Sequence, residues 1–387
     1  MIRIKLSYLF TIIVSLLLLF IGHNIAIDGM VNFQNSSQEI VRGKVQRIVE
    51  RVEFNMDFID DFDYFGDFDS FIPFMPGDKI IFEAKITTGI RRGETITAEQ
   101  TFSPLLIDRS KEVDKGDNVL LVNNNIGWFF GGYARTNRLL TLGFLFVICL
   151  LLFGGKKGFN TILSLGFTCA AIFAVFIPAI LSGKNIYVMA LLVCAYTIAM
   201  TLLIVIGFNK KSLASVAGCV SGVMVAGIIA VIMDRALYLT GIVDEHSRYL
   251  VNLPGGIELN LRAIIFAGII IGAMGAIMDV AISISSSLWE VKEKAGIIKF
   301  KELFRSGLNI GRDIMGSMAN TLILAYIGSS LTVVLLLSVF SGSFLALFNS
   351  EMIAVEILQA LAGSLGILFA MPLTAFFCSV IYLKDSK

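Results

Sequence analysis

The chain has 387 residues, of which 56% are hydrophobic and only 16% are charged, and its net charge is +1. Soluble globular domains carry about 25% charged residues, so this composition excludes an ordinary water-soluble protein and predicts helices surrounded by lipid. A net charge this close to zero gives no sign of a nucleic-acid partner.

Eight apolar runs match the length needed to cross a hydrocarbon layer about 30 Å thick, which takes roughly 20 helical residues. They cover residues 7–26, 138–153, 159–181, 185–207, 212–233, 262–288, 317–341 and 354–382. Lys and Arg collect on the cytoplasmic side of membrane proteins. With the amino terminus inside, fourteen of these residues flank the inner ends, against four in the short outer loops. The sequence therefore predicts a mainly α, multi-pass membrane bundle with both termini in the cytoplasm.

The first run, within residues 1–27, has two interpretations. Arg3 and Lys5 precede it, as in a signal peptide, but Ile25 and Ile27 around Ala26 do not form a cleavage site of small residues. We therefore favour an uncleaved membrane anchor, with a signal peptide as the alternative.

Residues 28–137 form a polar interruption between the first two runs, which places them outside the membrane. Four stretches rich in β-branched or alternating residues lie at 39–50, 78–89, 93–102 and 117–124, each bounded by turn residues. This pattern predicts a small extracytoplasmic β domain, either an antiparallel sheet or a five-stranded barrel of the OB kind. The aromatic stretch "WFFGGY" at 128–133 is typical of a membrane interface belt before the second span.

An acidic and aromatic stretch inside this domain, "MDFIDDFDYFGDF" at 56–68, raises the question of a Ca²⁺ site. Asp61, Asp63 and Gly66 fit an EF-hand loop, but Phe65 and Ile72 stand where ligands belong. A solvated loop is the favoured interpretation, and no metal site is predicted.

Other chemistries are excluded by missing motifs. The chain has two His residues, no phosphate-binding G-x-x-x-x-G-K-[ST] loop and no G-x-S-x-G elbow. All five Cys residues fall in predicted spans, where they are apolar core residues. We therefore expect no cofactor, no catalytic residues and no enzyme activity.

The sixth run carries one carboxylate among apolar residues. Seven residues of it follow each other at steps of three or four and so share one helix face: Gly268, Gly272, Gly275, Asp279, Ser283, Ser286 and Glu290. A charge at membrane depth costs about 2.5–3.5 kcal/mol, so this face is predicted to be an interior seam with glycines for close helix packing. Gly218 and Gly222 of the fifth run are predicted to pack helices in the same way.

The next run supplies the predicted partners of this face. Asp313, Gly316 and Asn320 share a helix face, with Arg312 at its edge. Arg312 is predicted to pair with Asp279 or Glu290, and Asp313 has the first-turn amides of its own helix as an alternative partner.

Two stretches resemble a known family. "GAIMDVAISISSSLWEVK" (275–292) and "SGLNIGRDIMGSMANTLILAYIGSSL" (306–331) are similar to the YibE/F family of bacterial multispanning membrane proteins. The resemblance covers most of residues 138–387 and implies a seven-span domain in the bacterial plasma membrane, preceded by an anchor and an outer domain. It implies no substrate, because the activity of the family is not established.

Two classes of function remain. The first is a transporter or permease that moves an ion or small solute, with Asp279 as the binding carboxylate, Ser283, Ser286 and Asn320 along the path, and Arg312 with Asp313 at its inner end. The second is a noncatalytic scaffold that acts through its outer β domain, whose partner the sequence does not identify. The partners expected are the lipid bilayer and either a homo-oligomer or a second membrane subunit, without nucleic acid.

Overall fold

The computed structural model describes residues 2–28, 39–52, 78–102, 111–124, 126–251, 258–340 and 343–383. It is mostly helical and divides into two compact units, Phe33–Ile148 and the combination of Met1–Asn32 with Cys149–Lys387. The acidic stretch at 56–68, considered above as a Ca²⁺ loop, lies outside the described residues.

The smaller unit contains a closed five-stranded barrel. Its strands are β1 Glu39–Val52, β2 Lys79–Ile86, β3 Thr95–Thr101, β4 Asn118–Asn123 and β5 Trp128–Tyr133, joined in the order β1-β2-β3-β5-β4. All pairs are antiparallel except β3 with β5. Alternate residues such as Phe82 and Ala84 point into the core and are fully buried, as the two-residue period of a strand requires. The small barrel predicted from the sequence is confirmed.

The residue stretch that the sequence assigned to a membrane interface forms the fifth strand of the barrel. Trp128, Phe130 and Tyr133 pack against the barrel core, and β5 pairs with both β3 and β4. These aromatic rings therefore close the barrel. Arg91 lies over the Trp128 ring, 5.9 Å from its centre, as in a cation–π contact.

The larger unit is a helical bundle. Its longer helices are α1 Ile2–Ile27, α2 Thr136–Ala170 (which begins in the smaller unit), α4 Ile186–Val205, α5 Lys210–Ala236, α7 Leu261–Ala295, α8 Phe300–Ser329, α9 Leu331–Phe340 and α11 Glu351–Leu383. Shorter pieces are a π-helical turn at Ala171–Phe176, α3 Ile177–Leu181, α6 Glu245–Val251 and α10 Phe344–Asn349.

The number of helices able to cross a membrane differs from the eight predicted runs. Among the described residues six helices are long and apolar enough, or seven if α8 and α9, bent by 57° at Ser330, form one span. Two predicted runs, 138–153 and 159–181, fall in the single stretch Thr136–Leu181. Its backbone leaves the helical region at Gly155 (φ 51°, ψ −126°).

The chain bends sharply at this break. A side chain at Gly158 would meet the carbonyl of Leu150, although residues eight apart in a straight helix are separated by about 12 Å. The stretch Thr136–Leu181 is therefore not one straight rod.

The core of the bundle is formed where α5, α7 and α11 meet at glycines. A Cβ at Gly222 would lie 2.7 Å from Ala370 Cβ and 2.9 Å from Ile277 Cγ2. Gly218 faces Thr374 with equally little space. α7 is the most buried of the six helices, with 61% of its most apolar window inside the protein. The structure thus places Gly218 and Gly222 at close helix contacts.

Polar contacts fasten α1 to the bundle. Tyr8 Oη donates to Asn160 Oδ1 (2.9 Å), and Ser182 Oγ donates to the Ala26 carbonyl (2.5 Å). Between them, His23 Nδ1 lies 2.6 Å from the Ala174 carbonyl oxygen. This oxygen needs a partner because Pro178, four residues later, has no N–H to donate. α1 is therefore an integral helix of the bundle.

Candidate functional site

The candidate site is the face of α7 that carries Asp279. The sequence predicted an interior seam, but in the single chain Gly268, Gly272, Gly275, Asp279 and Glu290 are exposed, and Ser283 and Ser286 are half-buried. The opposite face, with large aliphatic side chains, is the one that packs into the bundle. α7 is apolar on most of its surface, so its sequence period fixes which residues share a face without fixing which face is covered.

The depth of Asp279 follows from its distance to the carboxyl-terminal end of α7. This end carries Lys292 and Lys294 and is called the lysine end. Trp289 lies between the ammonium groups of Lys211 and Lys292, each 5.6 Å from its ring centre. Aromatic and basic residues of this kind mark a membrane interface. Asp279 precedes Trp289 by ten residues, or about 15 Å of helix. It therefore lies near the middle of an apolar layer about 30 Å thick.

The Asp279 side chain is unpaired within the described ranges of the chain. Among the described residues, no hydrogen bond or ion pair reaches its carboxylate, and the predicted pairing with Arg312 is absent. A side chain at Gly275, one turn away, would find nothing within 4 Å. The carboxylate is therefore exposed on the α7 face, with open space at the neighbouring Gly275.

The predicted partner residues on α8 point elsewhere. Arg312, Asp313 and Asn320 are exposed, whereas α8 contacts α7 and α11 through buried residues such as Gly311 and Leu322. The alternative partner for Asp313, the first-turn amides of its helix, is also wrong, because α8 begins at Phe300. The sequence predicted that this helix opens at "NIGRD" (309–313), ahead of the apolar run at 317–341, and this later start placed Asp313 in a first turn.

The end of the α7 face opposite the lysines is lined by residues that the sequence analysis missed. Tyr326 Oη meets the position of a Gly272 side chain, and Gln359 Nε2 lies 3.8 Å from that of Gly268. Tyr326 also lines a cavity of about 190 Å³ with Glu356 and Ser330, at the bend between α8 and α9.

Glu356 is a second carboxylate within an apolar helix. Its Oε2 atom is buried and has no hydrogen-bond partner among the described residues. Glu351, one and a half turns earlier, is fully used: it accepts from Thr240 N (2.7 Å), Thr240 Oγ1 (2.8 Å) and Gly241 N (2.7 Å). The sequence feature that could have revealed this position is the pair Glu356 and Gln359, two polar residues three apart on one face of the last apolar run.

Ser285, next to the predicted path, has a structural role. Its hydroxyl is 2.5 Å from that of Ser215, and its carbonyl accepts from Tyr382 Oη at 2.9 Å. The Lys292 ammonium donates to the Tyr382 carbonyl. These bonds join α5, α7 and α11 at the lysine end. Ser283 and Ser286 are the serines that share the face of Asp279.

A helical bundle with six or seven candidate spans, an unpartnered carboxylate at mid-depth and an appended barrel defines a multi-pass membrane protein. The YibE/F-like protein family model matches residues 142–384, more than half of the chain. The chain belongs to this family. Comparison with curated proteins and with solved structures found no match to the chain.

Proposed function

We propose that the chain is a membrane transporter or permease that moves a cation or small solute along the glycine face of α7. The observation that carries this proposal is Asp279, a carboxylate near the middle of the apolar layer with no partner in the part of the chain that the structure describes. Burying a charge in lipid is costly, and intramembrane carboxylates of transporters bind protons or ions. Glycines beside it leave room for water or a solute.

The proposed path has three levels. Glu356 and Gln359 lie at its outer end, where the bend between α8 and α9 opens a cavity, and broken helices of this kind form binding sites in transporters. Asp279 is the binding carboxylate at mid-depth. Ser283 and Ser286 continue the path toward the lysine end.

We propose that the path carries its solute without a chemical reaction, so the chain is not an enzyme. The energy then comes from an ion gradient or from a separate subunit.

The topology proposed for this role has eight crossings, with both termini in the cytoplasm of a bacterial cell and the barrel outside. In this proposed topology the break at Gly155 divides Thr136–Leu181 into two crossings, and the bent pair α8 and α9 makes one. The excess of Lys and Arg at the ends assigned to the cytoplasm supports this orientation.

Substituting Asp279 by Asn tests the proposal, since the amide keeps the shape and removes the charge. Purified protein in lipid vesicles is assayed for proton flux with an internal pH dye and for uptake of radioactive Na⁺. We expect Asp279→Asn to lower flux at least tenfold with unchanged insertion. Glu293→Gln, on the exposed lysine end of the same helix, is the matched control and should keep full flux. Equal flux in both variants would remove the proposal.

A scaffold role is the second candidate, and the separate compact unit that holds the barrel favours it. Under this alternative, deleting residues 39–133 abolishes the cellular phenotype of the protein, while Asp279→Asn leaves it unchanged. The transporter proposal predicts the opposite: Asp279→Asn affects the phenotype more than deletion of residues 39–133.

A further inference from the structure

The exposed side of α8 is unusually polar for a helix in an apolar bundle. Asn309, Arg312, Asp313, Gly316 and Asn320 are all exposed and together form what we call the polar face of α8. The other side of the helix is packed: Gly307 lies against Ala375 and Leu288, and Gly311 against Met371 and Ile284. The polar face therefore lies on the side of α8 opposite its contacts with α7 and α11.

The two charges of this face lie within the apolar layer. Gly311, which precedes Arg312, is level with Ile284 of α7. Ile284 is five residues from Trp289 at the lysine end, which corresponds to about 7.5 Å of helix. Neither Arg312 nor Asp313 has an ion-pair or hydrogen-bond partner among the described residues. Charges at this depth require a partner or a reach to water.

The arrangement of the face selects one partner, a second copy of this chain. Asn309, Gly316 and Asn320 follow at steps of seven and four, which places them on one line along the helix. Arg312 and Asp313 lie on either side of this line. Two parallel copies of α8 can meet along this line across a two-fold axis. In that arrangement Arg312 of each copy faces Asp313 of the other.

We infer that two chains associate through the polar face of α8, with Arg312 of each chain paired to Asp313 of the other. The two pairs form at equal depth, so both charges of each chain are neutralised within the layer. Gly316 lies on the contact line, and a side chain there would find nothing within 4 Å, so the helices can approach closely. Asn320 meets its own copy and can exchange amide hydrogen bonds.

This inference goes beyond transport and does not require it. An unrelated partner subunit would need its own complementary pair of charges, whereas a second copy supplies the pair automatically. An arginine that only reaches to the headgroups would leave Asp313 unpaired.

The test uses charge reversal in two differently tagged chains. Arg312→Asp puts two negative charges side by side, and Asp313→Arg puts two positive charges side by side. We expect each variant alone to lose self-association at least tenfold, measured by co-purification of the tags and by counting photobleaching steps in vesicles. Co-expression of the two variants should restore association to the wild-type level, because each chain then meets its complement.

Two outcomes overturn the inference: a wild-type chain that is monomeric in vesicles, or co-expressed variants that associate no better than each variant alone. Size-exclusion chromatography checks that the variants are folded. Each variant should elute at the same volume as the isolated monomer fraction of the wild-type chain.

A disulfide test does not depend on charge changes. In a chain without its native cysteines, Asn320→Cys should form an interchain disulfide in native membranes, since bonding requires Cα atoms within about 7 Å. Ala325→Cys, also exposed but on another side of α8, should not. Equal cross-linking of both, or none at Asn320→Cys, contradicts the proposed interface.

Discussion

Substituting Gly222 by Ala tests whether close contact between α5 and α11 holds the bundle together. The added methyl group would lie 2.7 Å from Ala370 Cβ and 3.1 Å from the Gly366 carbonyl oxygen. Both atoms belong to the α11 backbone or its first side-chain carbon, so no rotamer change can make room and the helices must separate. Overpacking of this kind costs about 1–3 kcal/mol. We expect a melting temperature lower by several degrees, since roughly 2–4 °C corresponds to 1 kcal/mol in domains of 150–250 residues.

The assay follows exposure of the buried thiols Cys194, Cys219 and Cys378 to a dye that fluoresces on reaction, as detergent-solubilised protein is heated. Cys149 and Cys169, which are not buried, are first replaced by Ala. The matched control is Gly275→Ala, also in a helix but with nothing within 4 Å of the added carbon. We expect it to be neutral or stabilising by up to about 1 kcal/mol. Equal melting temperatures for the two variants would refute the packing argument.

Three further predictions concern other parts of the chain. In the barrel, Arg47 Nε donates to Glu83 at 2.8 Å, and this bond lowers the pKa of the Glu83 carboxyl. The stability that the pair contributes is present above the ordinary pKa of 4.5 and is lost as the pH falls through the lowered pKa. Unfolding of the Glu83→Gln barrel should therefore depend less on acid, as followed by Trp128 fluorescence in a chain that also carries Trp289→Phe. Tyr382→Phe leaves the Ser285 carbonyl without its donor and should lower the free energy of unfolding by about 0.5–1.5 kcal/mol, measured by the thiol assay. Because α1 is bonded to the bundle, the mature protein should keep it, so mass spectrometry of the purified protein should recover peptides from residues 2–27; their absence would contradict this.

The limits of prediction are visible in the barrel. Four strands follow from alternation and turn residues, and their bounds agree closely with β1 to β4. β5 was missed because "WFFGGY" has no polar alternation and adjoins an apolar helix, which is also how an interface belt is composed. Its role in closing the barrel depends on pairing with β3, which is distant along the chain, as well as with the neighbouring β4, and the distant pairing leaves no local mark.

The helix boundaries show a second limit. α8 begins at Phe300, but hydropathy placed the span from residue 317, because Lys301, Arg305, Arg312 and Asp313 lower the average of its first half. Hydropathy measures contact with lipid and not helicity. The predicted span was therefore too short at its amino-terminal end, and Asp313 was wrongly placed near the start of the helix.

The candidate site shows a third limit, which concerns which side of a helix packs against the bundle. Periodicity correctly groups Gly268, Gly272, Gly275 and Asp279 on one side of α7, since that depends only on 3.6 residues per turn. Which side is covered depends on competition between two apolar surfaces, and the face with Ile277 and its aliphatic neighbours buries more area than a face of glycines. The carboxylate is consequently left on the uncovered side. An uncovered carboxylate in an apolar layer must be met by water, a bound cation or another protein surface, and the flux experiment with Asp279→Asn tests whether protons or cations reach it.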